Sequence, residues 1–222
     1  MGSRVLDLDN SIYKAIARGR FPSAPGHGEI DLMKRIALML STLALFSAAV
    51  LAGPLEDGFA AFKAKDYARA RQLWQPLAQE GNADAQFNLG LLHHKGWGVE
   101  RDLRQAHEWY TQAANQGQAD AMYNLGLMYA RGEGVFRSDR QAVPLFEHAA
   151  AQEHVPAMYT LGVMYAYGMG TRKDVAKAIA TWEQAAAKGS SQAREALARA
   201  YEEGMFGLAA DPAKAAEWRD RK

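Results

Sequence analysis

The chain contains no cysteine. No disulfide can form, no thiol is available as a nucleophile, and a lipid cannot be attached as in a bacterial lipoprotein. An excess of either charge is missing too. The 26 Lys and Arg stand against 25 Asp and Glu, and from Gly53 onward 20 stand against 21. No segment is strongly basic and no Lys/Arg stripe alternates with aromatics, which argues against nucleic-acid partners. No serine occupies a nucleophile elbow, and there is no H-E-x-x-H. Of the six histidines only His93 and His94 adjoin. Neighbouring helical residues point about 100° apart, so the two cannot easily share one metal, even with His107 on the following helix. The expectation is a chain with no cofactor, no metal site and no catalytic residues.

A repeat is abundantly present. Ala83-Asp84-Ala85-Gln86-Phe87-Asn88-Leu89-Gly90 returns 36 residues later as Ala119–Gly126 and again as Val155–Gly162. A period in this range means stacked supersecondary units, each too small to bury its own apolar face. Their usual output is an extended binding surface. Each unit splits into two helical patterns. The first spans roughly Ala83–Lys95, with Ala85, Leu89 and Leu92 at helical spacing. The second starts at a column of caps, Asp102, Ser138 and Asp174, with Asp211-Pro212 one residue late. Gln105 and Gln141 follow the first two caps at capping-box spacing.

The second helices carry Ala106/Ala142/Ala178/Ala215 and the aromatic column Tyr110/Phe146/Trp182. Small residues let helices approach, and the rings fill the space between them. Gly117 and Gly189 sit at expected left-handed caps, where Glu153 stands in the middle unit. The connectors Gly96-Trp97-Gly98, Gly132-Glu133-Gly134 and Gly168-Met169-Gly170 predict positive φ. With no preceding strand and no Lys-Ser/Thr pair they do not read as phosphate loops. Pro76 and Pro144 interrupt second helices and predict local bends.

The order A-x-A-x-[FY]-x-L-G, G-x-G-[VT], Asp/Ser and A-A-x-x-G resembles the Sel1-like repeat family, a relative of the tetratricopeptide repeat. Three tandem units, Ala83–Ser190, carry it. The resemblance implies an all-α, right-handed solenoid of antiparallel helix pairs over 53–222, with units at about 55–82, 83–118, 119–154, 155–190 and 191–222. The end units are atypical. The first lacks the G-x-G connector, and the last has Ala198 in place of the glycine and a truncated second helix.

Met33-Lys34-Arg35 precedes the apolar run Ile36–Ala52, which ends on small residues. That order predicts a secretory signal over 33–52 cleaved before Gly53. The alternative is an uncleaved anchor. The run is at the short end for a bilayer span and no basic cluster follows it. Residues 1–32 show no repeat pattern and read as a non-native leader or a wrongly assigned start, against a genuine cytoplasmic extension. A periplasmic or secreted product with no membrane span in its mature form follows.

In tetratricopeptide-like units the first helix lines the groove. The positions resembling ligand-facing ones are Phe87, Asn88, Leu91 and His94, then Tyr123, Asn124, Leu127 and Ala130, then Tyr159, Thr160, Val163 and Ala166, and the last unit changes character to Glu195, Arg199 and Glu202. The aromatics among them read equally as packing framework. The resemblance implies a non-catalytic interaction or adaptor module in the bacterial envelope whose partner is an envelope protein or peptide. The rival is a secreted enzyme acting on cell-wall or β-lactam-type substrates, which needs a convergent ionisable cluster that the sequence does not show. The Leu89/Leu125/Leu161/Leu197 column should hold the core, with Leu197 less enclosed near the chain end.

Overall fold

The computed structural model describes residues 53–221; the expected signal and leader lie outside the described residues. Five helix pairs follow one another: α1 (Pro54–Lys63) with α2 (Tyr67–Gln79), α3 (Ala83–Lys95) with α4 (Leu103–Asn115), α5 (Ala119–Arg131) with α6 (Asp139–Ala151), α7 (Val155–Tyr167) with α8 (Val175–Ala187), and α9 (Ser191–Glu202) with α10 (Pro212–Asp220). A 3₁₀ turn, Met205–Gly207, lies within the last pair, and no strand occurs among the described residues. Packing is chiefly between consecutive helices, the signature of a solenoid.

Caps fix the helix starts. Asp66, Asp102, Ser138, Asp174 and Asp211 each accept the backbone N–H three residues on. The reciprocal half of the capping box does not form. The cap's own N–H instead donates to a first-helix carbonyl: Asp102 to His93 (3.0 Å), Ser138 to Tyr129 (2.8 Å), Asp174 to Tyr165 (2.8 Å) and Asp211 to Tyr201 (2.7 Å). An orphan donor of one helix thus satisfies a carbonyl near the end of its partner, leaving the Gln105 amide to reach Glu108. A second cap column, Asn82, Gln118, His154 and Ser190, starts the first helices. Its varied chemistry hid it in the sequence.

The connectors behave as their glycines predict, with positive φ at Gly96, Gly98, Gly132, Gly134, Gly168 and Gly170, and Glu153 also adopts φ 64°. Pro76 and Pro144 lie inside α2 and α6, which continue through them because both prolines sit on the exposed side.

A close approach explains the glycine of each first helix. A Cβ on Gly90, Gly126 or Gly162 would come within 2.6, 2.7 or 2.3 Å of Tyr110, Phe146 or Trp182. Gly58 plays the same part against Trp74 in the first pair. In the last pair the ring position holds Arg219, which pairs with Glu202, so Ala198 is tolerated.

The core runs between pairs as Ala, Leu and ring layers. Leu197 does not follow the expectation of looser packing: it is 0% exposed and Leu125 4%. The reason is α10, whose Trp218 closes over α9 within the same cluster.

Candidate functional site

The first helices present their exposed faces in register. Between α7 and α9 that face opens into a cleft of about 690 Å³. Tyr159, Val163 and Tyr167 line it from α7; Gln192, Glu195, Ala196 and Arg199 line it from α9; Trp182, Met205 and Phe206 complete it. Of the residues expected to face a ligand, Tyr159, Val163, Glu195 and Arg199 are here. Phe87 and Tyr123 are half-buried against Tyr110 (5.8 Å between centroids) and Phe146 (5.7 Å), so they also serve as framework. Leu91 and Leu127 are half-buried.

The polar positions are committed to their own helices. Asn88 is 6% exposed, and its amide donates to the Asp84 carbonyl at 2.7 Å. Asn124 repeats this to Asp120 at 2.8 Å, and the Thr160 hydroxyl donates to Pro156 at 2.9 Å. Back-bonding to the carbonyl four residues earlier competes with an outward reach, a local effect that column reading does not register. The Asn oxygens keep their acceptor capacity.

His94 is buried at 8% exposure. Its Nε2 lies 2.9 Å from Glu133 of the next connector, and Nδ1 lies 3.4 Å from the Tyr110 hydroxyl. With the proton on Nε2, both contacts are satisfied. His94 is thus a tie between successive units.

His154 links units in another way. The Ala157 N–H donates to Nδ1 at 3.1 Å, which caps α7, and Nε2 donates to Asp120 at 3.2 Å. The Tyr123 ring lies against it, 4.8 Å between centroids. The hydrogen bond from His154 holds the Asp120 carboxyl below the usual carboxylate range, against an opposing push from burial. A depressed carboxylate contributes stability above its unfolded value, near 4, and that contribution is lost as pH falls through the folded value. His154→Ala should cost about 1 kcal/mol at pH 7 by loss of the cap. The deficit should shrink as pH falls through the folded value of Asp120, where the carboxylate that His154 contacts loses its charge. His154→Asn should retain most of the stability. Urea titrations over a descending pH series check this; a deficit that stays unchanged down to full protonation of the carboxylates would contradict the assignment.

A second, open cleft of about 740 Å³ is lined by Arg71, His93 and the connector Gly98–Arg104. Burial above all holds His93 below its ordinary value, with Asp102 opposing and Arg71 adding to the effect. His93 and His94 do not converge on one point: one faces this cleft and the other Glu133.

The sequence reading missed Tyr167, Trp182 and Phe206 as cleft residues. Tyr167 stands where the earlier units have Lys95 and Arg131, and Phe206 follows Gly98, Gly134 and Gly170 at the same spacing. Both departures were visible as breaks in their columns.

A family model described as the Sel1 repeat matches residues 47–82, 83–118, 119–154, 155–190 and 191–218. None of the curated proteins matches. Among solved structures, a Sel1 repeat protein from Oxalobacter formigenes is 34% identical with a TM-score of 0.68, over 74% of this chain and 67% of that one. A protective antigen present in uropathogenic Escherichia coli strains, displaying an SLR fold, is 32% identical with a TM-score of 0.63. That match covers 68% of this chain and spans about a third, 32%, of the antigen's length. Proteins built from these repeats are generally non-enzymatic protein-interaction modules. With five consecutive repeats matched across its helix pairs, the chain belongs to the Sel1 repeat family.

Proposed function

We propose that this chain is an interaction module of the bacterial cell envelope that holds an extended segment of a partner protein along its first-helix face, anchored in the cleft between α7 and α9. The observation that carries the reading is the cleft itself. Tyr167 is 58% exposed; among the described residues Phe59 and Phe136 are the other exposed large rings, and neither lines this cleft. A groove with rings at its centre and charges at its rim has the composition of a protein-binding hot spot. Phe87, Leu91, Tyr123 and Leu127 extend the half-buried apolar surface along the earlier units, and the oxygens of Asn88 and Asn124 can accept from a partner backbone. The basic–apolar–small order of residues 33–52 supports export, with the mature chain starting at Gly53.

A photo-crosslinking side chain placed at Tyr167 should give one discrete adduct in the envelope fraction, and the same group at Glu108, exposed on α4, should give none. Adducts from position 108 alone would move recognition to the other face. The adduct from position 167 should have Gly53 as its N-terminal residue; an N-terminus at Met1 would end the export reading.

A further inference from the structure

Resting on the groove reading above, we infer that the cleft between α7 and α9 selects a cationic side chain, a lysine or arginine carried on an extended partner segment. Three observations converge on this chemistry.

The first is a replacement. At the position where three units place Phe87, Tyr123 and Tyr159, the last unit places Glu195. A carboxylate therefore stands opposite Tyr159 on the cleft wall.

The second is how that carboxylate is left. Arg199 lies one turn on and could reach back to Glu195, a favourable helical pairing. Instead its Nε turns the other way, to Glu203 at 3.6 Å. Among the described residues Glu195 has no ion-pair partner within 4.0 Å, so its charge faces the cleft uncompensated by direct contact.

The third is strain. Phe206 occupies the place of the second connector glycine and keeps its left-handed backbone, φ 61°. For a bulky residue that conformation is costly and persists where the surroundings impose it. The ring it carries stands edge-on to Tyr167 at 5.1 Å and 6.2 Å from Trp182. Lys173 lies over the Phe206 ring at 5.8 Å, so that ring attracts a cation within the fold itself. Aromatic faces beside an unpaired carboxylate attract a cation twice, through the ring quadrupoles and through charge. An apolar residue next to the cation would meet Val163, Ala196 and Met205.

The test is selection of displayed random 12-residue peptides on the protein as isolated, followed by titration of synthetic copies of the winners. Phe206→Gly should fold, because glycine is what the other units carry there. The expected result is peptides with a lysine or arginine at one fixed position. Their affinity should fall at least 10-fold on Phe206→Gly, on Glu195→Gln, and on replacing the peptide cation with norleucine. Peptides that need Phe206 but bind equally after Glu195→Gln, or that carry no cation, would overturn cation selection and leave the groove reading standing. Acidic peptides dependent on Arg199 would do the same. If no peptide is selected, or all bind Phe206→Gly unchanged, both fail.

Discussion

Gly170→Ala is expected to destabilise the solenoid by about 3 kcal/mol or more. A Cβ there would lie 2.2 Å from the carbonyl carbon of Asp139, 2.3 Å from its oxygen and 2.6 Å from the Arg140 nitrogen. These are backbone atoms at the start of α6, with no flexible side chain to give way. The φ of 67° adds strain of its own. Gly98 and Gly134 make the corresponding approach to Tyr67 and Leu103, so the second connector glycine is the joint by which each unit seats on the one before it. Gly81→Ala separates the two effects. Its φ is 96°, but nothing lies within 4 Å of the added methyl, so it should cost only about 1–2 kcal/mol. In urea, Gly170→Ala should also lower the steepness of the transition, as the last two pairs uncouple from the first three. Equal losses for the two variants would show that the joint is not where the geometry puts it.

Leu125→Ala and Leu197→Ala should cost about 2–5 kcal/mol each, and similar amounts. Leu125 lies in a central pair and Leu197 in the last, yet both are enclosed. Position along a solenoid suggests that a terminal residue has fewer neighbours. Here α10 and its Trp218 supply the missing side. Truncating Trp218 to Ala should therefore abolish most of the further cost of Leu197→Ala while leaving that of Leu125→Ala unchanged, which a double-mutant cycle in urea measures. If Leu197→Ala is much the milder of the two in the intact protein, α10 does not close the end of the stack.

The fold was largely legible because a repeat samples the same physics several times. Gly-x-Gly connectors, Asp/Ser caps and the ring column each recur, so one accidental residue does not disturb the pattern. What escaped were terms that do not repeat in kind. The caps Asn82, Gln118, His154 and Ser190 do one job with four side chains, and no residue type marks the column. The glycine of the first helices read as a family feature until the ring behind it was seen. The candidate site fared worse. Column reading placed Asn88, Asn124 and Thr160 on the right helices, but their preference for the carbonyl four residues back is a local competition with no long-range signature. His94 read as an outward position, yet Glu133, 39 residues away, draws it inward. The cleft lies where the pattern fails, at Tyr167, Glu195 and Phe206, so departures from the repeat mark its position better than the repeat itself.

The match between each first-helix glycine and the ring behind it has a consequence for how such a chain can change length. Both members of the match, Gly126 with Phe146 or Gly162 with Trp182, lie within one 36-residue unit. At the connector glycine the joint to the preceding unit asks little of side-chain identity, since Gly98, Gly134 and Gly170 approach residues as different as Tyr67, Leu103 and Asp139. A whole unit can therefore be duplicated or deleted in frame without breaking any ring from its glycine. A crossover that begins inside a unit brings together a glycine and a ring with different histories, and at the last pair it would set Ala198 against a ring it has no room for. Gain and loss in whole units is thus the cheap direction of variation for this architecture, whereas the pair of α9 and α10, with Arg219 in the ring position, does not exchange freely with the others.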